Sequence, residues 1–210
     1  SDDRTARVWD LGSGALRHVL RPYAFGAEGG RLYGVAIHPK EALVAVAGTT
    51  GGTIPGGPPH PHLVYLFDLE SGALRSTIDA RAGDIRKLAW SADGQVLFAA
   101  YNGTHGVRAF ARDGRELLDD RYGGPVFGLA THPGGLAAAV GLDGTLRTYR
   151  IAGGNVERAG TASLGNRRPA GVAFSPDGRQ LAVAFAVRGE GIEVFDSATL
   201  QSVARLPAPE

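Results

Sequence analysis

The histidines and turn aspartates of this 210-residue chain are the groups whose types suit metal or acid–base chemistry. His60 and His62 flank Pro61 and offer two imidazoles to one ion. Structural zinc sites usually take four nitrogen or sulfur ligands, and no third ligand is identifiable here, so solvated loop histidines are the first reading and a metal pair the alternative. His38 and His132 precede Pro39 and Pro133 at matching places, which favours a turn-stabilising role over catalysis. Asp93 and Asp177, in Ser91-Ala92-Asp93-Gly94 and Ser175-Pro176-Asp177-Gly178, are expected to hydrogen-bond their own backbone, as aspartate does in turns. Gly51, Gly52, Gly56 and Gly57 form a glycine-rich loop, but no strand-to-helix context aims its amides at a phosphate. Gly-x-Ser-x-Gly, the P-loop pattern and His-Glu-x-x-His do not occur. The expectation is a protein without catalytic residues or cofactor.

Composition narrows the field further. With no cysteine, disulfides, thiolate metal sites and a cysteine nucleophile are excluded. A formal net charge of +1 gives no basic field for nucleic acid or an anionic membrane. No stretch reaches the ~18 consecutive apolar residues that span a bilayer, so a cytoplasmic protein is expected. Methionine is absent and the chain opens Ser1-Asp2-Asp3, which suggests processing or a piece of something longer.

What would position these residues is a series of short strands. From Gly83 to Phe110, apolar runs are separated by the Asp93-Gly94 and Asn102-Gly103 pairs, a hairpin signal that predicts three antiparallel strands. The pattern recurs. Trp9, Phe67, Phe110, Tyr149 and Phe195 each close an alternating run, at spacings of 58, 43, 39 and 46. Ala36, Ala89, Ala130 and Ala173 sit inside apolar runs at spacings of 53, 41 and 43. The two series interleave, which marks a repeat of about forty residues.

These residues resemble a known family, the WD-repeat β-propellers. The family's strand closing in Trp-Asp, followed by a Ser-Gly type of turn, matches Trp9-Asp10-Leu11-Gly12-Ser13-Gly14 and Phe67-Asp68-Leu69-Glu70-Ser71-Gly72. Its central Phe-Ser-Pro-Asp-Gly hairpin matches Phe174 to Gly178 and, more loosely, Trp90 to Gly94. The family's Gly-His pair is missing, and Ala111 and Arg150 replace the aspartate after Phe110 and Tyr149. The resemblance implies an all-β propeller of four-stranded antiparallel blades, with the closing aromatic on the outermost strand. Residues 11–68, 69–111, 112–150 and 151–196 would be complete repeats, with 1–10 ending one blade and 197–210 opening another. Such ends do not join neatly, so a segment of a longer propeller is the simplest account and a five-bladed ring with a degenerate closing blade the alternative.

On that frame, Arg17, Arg75, Arg158 and Arg205 fall on innermost strands, where they would line a channel and draw an acidic peptide or anion; solvated strand-end arginines are the competing reading. Arg7, Arg108 and Arg147 read as solvent-facing residues of an outer strand. Two insertions, 21–31 between the first and second strands and 48–62 between the third and fourth, would share one face. Tyr23, Phe25, Ile54, His60 and His62 in them are the expected interaction residues, Tyr23 and Phe25 as apolar anchors. The function expected is a non-catalytic protein-interaction or sensor scaffold with a protein or peptide partner. A regulatory propeller joined to an effector domain on the same polypeptide, and a propeller hydrolase or lyase with a channel site, are the alternatives.

Overall fold

The runs Leu43 to Gly48, Val96 to Tyr101 and Leu136 to Gly141 are apolar on successive rather than alternate residues. That pattern suits a strand covered on both faces, and each is almost wholly buried. The computed structural model describes residues 1–22, 30–49, 52–53, 59–81, 83–187 and 189–208. Among these there is no helix long and apolar enough to cross a membrane, and every regular element is a strand.

The chain opens with an antiparallel pair, β1 (Ala6–Trp9) and β2 (Leu16–Leu20). A first four-stranded sheet follows: β3 (Leu32–Ile37), β4 (Leu43–Gly48), β7 (Leu63–Asp68) and β8 (Leu74–Asp79). A two-residue hairpin, β5 (Gly52–Thr53) and β6 (Pro59–His60), lies between β4 and β7. The second sheet is β9 (Ile85–Trp90), β10 (Val96–Tyr101), β11 (Val107–Ala111) and β12 (Glu116–Asp120). The third is β13 (Val126–His132), β14 (Leu136–Gly141), β15 (Thr145–Ala152) and β16 (Asn155–Ser163). The fourth is β17 (Pro169–Phe174), β18 (Gln180–Phe185), β19 (Ile192–Asp196) and β20 (Ser202–Leu206). Each is an antiparallel meander in chain order, and the three strands expected across 83–110 are β9, β10 and β11.

The sheets stack face to face. Leu43, Ala45, Leu66 and Ile78 of the first pack on Leu97, Ala99 and Phe110 of the second. Equivalent clusters join the second to the third and the third to the fourth, and Ala6, Val8 and Leu20 of the opening pair meet Val44, Tyr65 and Phe67. First strands lie side by side: β3 touches β9, β9 touches β13, and β13 touches β17. Close approach there needs glycine. A Cβ on Gly128 would stand 2.5 Å from Val140 Cγ2 and 2.9 Å from the Val172 backbone nitrogen.

Strand pairing corrects the expected strand order. Phe67, Phe110, Tyr149 and Phe195 lie on the third strand of their sheets, not the outermost, and the strand after each is the outer edge. The reason lies in the turn. Asp68 accepts from the amides of Glu70 (2.9 Å) and Ser71 (2.8 Å) and from Ser71 Oγ (2.9 Å), closing a tight hairpin that keeps β7 and β8 in one sheet. Asp10 and Asp196 do the same with Ser13 and Thr199. The sheets therefore run 32–79, 85–120, 126–163 and 169–206, one strand later than the repeats expected at 11–68, 69–111, 112–150 and 151–196. Residues 202–206 complete the fourth sheet rather than open another.

Candidate functional site

Because strands alternate in direction, the connections fall on two ends of the stack. One end holds the turns between first and second strands and between third and fourth. The other holds the second-to-third connections and the links between sheets, and both insertions leave from it. Here too the strand labels shift. Segment 21–31 joins the opening pair to the first sheet, and 48–62 joins β4 to β7. Their bases touch. The Gly30 amide donates to the Thr49 carbonyl at 2.5 Å, and the Thr49 amide donates to the Arg31 carbonyl at 2.9 Å. Tyr23, Phe25 and Ile54 lie outside the described residues, and His60 is placed only by its backbone pairing with Gly52.

His62 sits half-buried where the longer insertion returns to β7, its carbonyl accepting from the Ala80 amide at 2.7 Å. Its Nδ1 is shielded and has no partner among the described residues. Burial lowers its pKa, with Asp84 and Asp79 opposing and His105 adding to the fall. His105, on the next second-to-third connection, also has a shielded Nδ1 without a partner among the described residues. It meets the Tyr101 ring edge-on at 6.2 Å. Tyr101 Oη donates to the Ala80 carbonyl at 2.7 Å, and burial raises its pKa. Beside them Arg86 lies 4.7 Å over the half-exposed Tyr33 ring. His62, His105 and Tyr101 thus stand near one another at the insertion end, and the Arg86–Tyr33 pair lies at the same end on β9 and β3. Among the described residues, no group of three or more His, Asp or Glu is placed to hold a metal ion.

The four arginines expected in a channel are elsewhere. Arg17, Arg75, Arg158 and Arg205 lie on β2, β8, β16 and β20, the outer edge strands, because the hairpin turns put those strands outside the aromatics. Each is half-exposed or more and meets a carboxylate: Arg17 with Asp10, Arg75 with Asp68, Arg158 with Asp120 at 3.3 Å, and Arg205 with Glu193 at 3.0 Å. Hydrogen bonds from the Ser13 and Ser71 turns, with the arginines assisting, hold Asp10 and Asp68 down at a pKa of about 2.

Arg108 and Arg147 are not solvent-facing. They point between sheets from third strands that are covered on both faces. Arg108, 5% exposed, meets Glu116 at 3.3 Å and Asp119 at 3.2 Å. Arg147 donates to Asp120 at 2.7 Å and lies 3.9 Å over the Tyr122 ring. Tyr149 Oη also donates to Asp120, at 3.0 Å. Glu193 takes the equivalent place in the fourth sheet, held by Arg167 and Arg205. Burial alone would raise its pKa, but Ser202, Arg167 and Arg205 together lower it. Of these ion pairs the Asp120 cluster joins the second sheet to the third, and the carboxylates are occupied by their own counter-charges.

The opposite end of the stack is built from histidines. His38 Nε2 lies 3.0 Å from the Gly94 carbonyl of the second sheet, while its Nδ1 accepts from the Lys40 and Glu41 amides at 3.2 and 3.0 Å. Nδ1 is therefore the acceptor and Nε2 the donor. His132 repeats this, with Nε2 3.1 Å from the Pro176 carbonyl of the fourth sheet and Nδ1 accepting from the Gly134 amide. Gly94 (φ 77°) and Gly178 (φ 72°) lie directly against these imidazoles. Asp93 and Asp177 accept from the Gln95 and Arg179 amides at 3.0 Å, as turn aspartates should.

No protein-family model matches the chain, and no curated protein matches it.

Proposed function

We propose that this chain forms part of a WD-repeat-like β-propeller and acts as a non-catalytic protein-interaction scaffold, taking a protein or peptide partner at the end that carries the two insertions. Four equivalent meanders set side by side by their first strands, with aspartate-capped turns after Trp9, Phe67 and Phe195, support the propeller reading. The observation that carries the interaction reading is the hydrogen-bonded base shared by the insertions at Gly30, Arg31 and Thr49. It holds the described ends of the two insertions side by side. Tyr33, Arg86 and His62 stand at the same end. Aromatic and arginine side chains are the types that anchor protein interfaces.

The test exchanges residues 50–61 for the short connection of the second sheet, residues 102–106. Proteins retained from a source lysate by the natural chain and lost by the exchanged one are the expected result. Identical retention by both chains overturns the placement.

A further inference from the structure

The junctions between complete sheets differ at the rim. Between the second sheet and the third, Leu117, Leu118 and Ile151 pack onto the shared core. Between the third and the fourth, β16 offers Thr161, Ala162 and Ser163, and a cleft of about 400 Å³ remains between them and β19 and β20. Its walls lie within residues 161–205, on sheets whose four strands are all present. Phe195 and Leu200, 4% and 9% exposed, supply its apolar lining. Leu200 has a φ of 56°, where the matching turns after Trp9 and Phe67 have Gly14 and Gly72. A side chain is strained in that left-handed region, and here it gives the cleft an apolar wall.

Glu193, 2% exposed, is the one carboxylate among the described residues of the lining. Arg167 donates to its Oε2, and Arg205 Nε donates to its Oε1 at 3.0 Å. Burial raises the Glu193 pKa, but Ser202, Arg167 and Arg205 together lower it, so the group is charged at neutral pH. Two guanidiniums against one carboxylate leave one positive charge over. Arg167 is fixed further, its Nε donating to the Leu164 carbonyl at 3.0 Å and its guanidinium 4.1 Å over the Phe185 ring.

Arg205 differs from the other outer-strand arginines. Arg17, Arg75 and Arg158 meet their aspartates through a terminal nitrogen. Arg205 uses Nε, its side chain is 74% exposed, and its terminal nitrogens have no partner among the described residues. The buried glutamate thus aims an arginine whose end-on fork is open.

We propose that this cleft binds a carboxylate carried on a short apolar body, the fork of Arg205 taking the two oxygens and Phe195 and Leu200 taking the carbon. A planar carboxylate matches that fork in geometry. A singly charged group matches the surplus of one, whereas inorganic phosphate brings more charge and no apolar part. The same chemistry is offered by a free organic acid and by an acidic side chain of a protein, and the test separates them. The cleft lies on other sheets than the insertion base at Gly30, Arg31 and Thr49, and exchanging residues 50–61 leaves it intact. Either reading therefore fails or stands without the other.

The probes are isocaproate and a short blocked peptide with one glutamate between leucines; the controls are isocaproamide and the glutamine peptide. Each is titrated into the nitrogen-labelled chain. Saturable movement of the amide signals of residues 200–205 is expected with both acids and not with the neutral controls. Arg205→Gln, an exposed change that leaves Glu193 paired with Arg167, weakens binding about tenfold. Arg205→Lys keeps the charge without the fork and weakens it about threefold. Arg17→Gln leaves it unchanged. Whichever acid binds more tightly identifies the source, and either order upholds the site. No saturation, equal binding of the neutral controls, an affinity unmoved by Arg205→Gln or Arg205→Lys, or tighter binding of inorganic phosphate overturns the proposal.

Discussion

The two ends of the sheet stack are made on different terms. At one end every connection is short, and its side chains are committed to the fold: His38 and His132 reach across to the next sheet, and Asp10, Asp68 and Asp196 close their own hairpins. At the other end connection length varies, from residues 142–144 in the third sheet to residues 49–62 in the first. His62 and His105 there keep shielded nitrogens without partners among the described residues. The strands between are alike. An end of short turns closed by their own side chains offers a partner less surface than an end with long connections, although the shielded Trp90 indole nitrogen beside His38 also lacks a partner among the described residues.

The largest effect that would break this contrast is expected at Gly94. Its φ of 77° and an imidazole 2.3 Å from where a Cβ would stand make Gly94→Ala a double violation. A loss of about 3 kcal/mol is expected in urea titration. Gly103→Ala, with a φ of 68° but nothing within 4 Å, should cost about 1 kcal/mol. Equal losses would remove the special role of the histidine end.

Next come the histidines themselves. His38→Ala removes a 4%-exposed imidazole and orphans the Gly94 carbonyl and two amides, at an expected cost of about 2 kcal/mol. His132→Ala, at a more open site, should cost about half that in the same measurement. The reverse order would contradict the burial argument.

A smaller effect belongs to pH at the other end. The His62 pKa is lowered from 6.5, so the unfolded chain binds more protons just below that value. Stability should therefore fall as pH drops from about 6.5 toward the folded pKa, and His62→Gln should flatten that slope. Asp10 and Asp68 act further down. Their pKa values fall from 3.8 to about 2, so their contribution is kept above 3.8 and lost as pH falls toward 2. Melting curves between pH 7 and 5 isolate the His62 effect, and an unchanged slope in the variant would exclude it.

The repeat, the strand nature of 83–110 and the turn roles of His38, His132, Asp93 and Asp177 were legible in the sequence because they depend on neighbours in the chain. Sheet membership was misread although its signal was present. Regular spacing of aromatics says how often a strand type returns, not which neighbour it pairs with. The Asp68-to-Gly72 turn does say so, since a tight hairpin joins strands of one sheet. Arg108 and Arg147 looked exposed because Glu116, Asp119 and Asp120 lie on other strands, brought to Arg108 by strand pairing and to Arg147 by the packing of one sheet on the next. For the same reason Glu193 and His105 gave no signal at all.

The contrast between the ends is tested most directly by the chain in which residues 50–61 are replaced by the connection 102–106. Its melting temperature and its retention of source-lysate proteins are measured beside the natural chain. A stability change within about 1 kcal/mol, together with loss of partner capture, is the predicted result. Unfolding of the exchanged chain, or undiminished capture by it, would contradict the division of labour between the two ends.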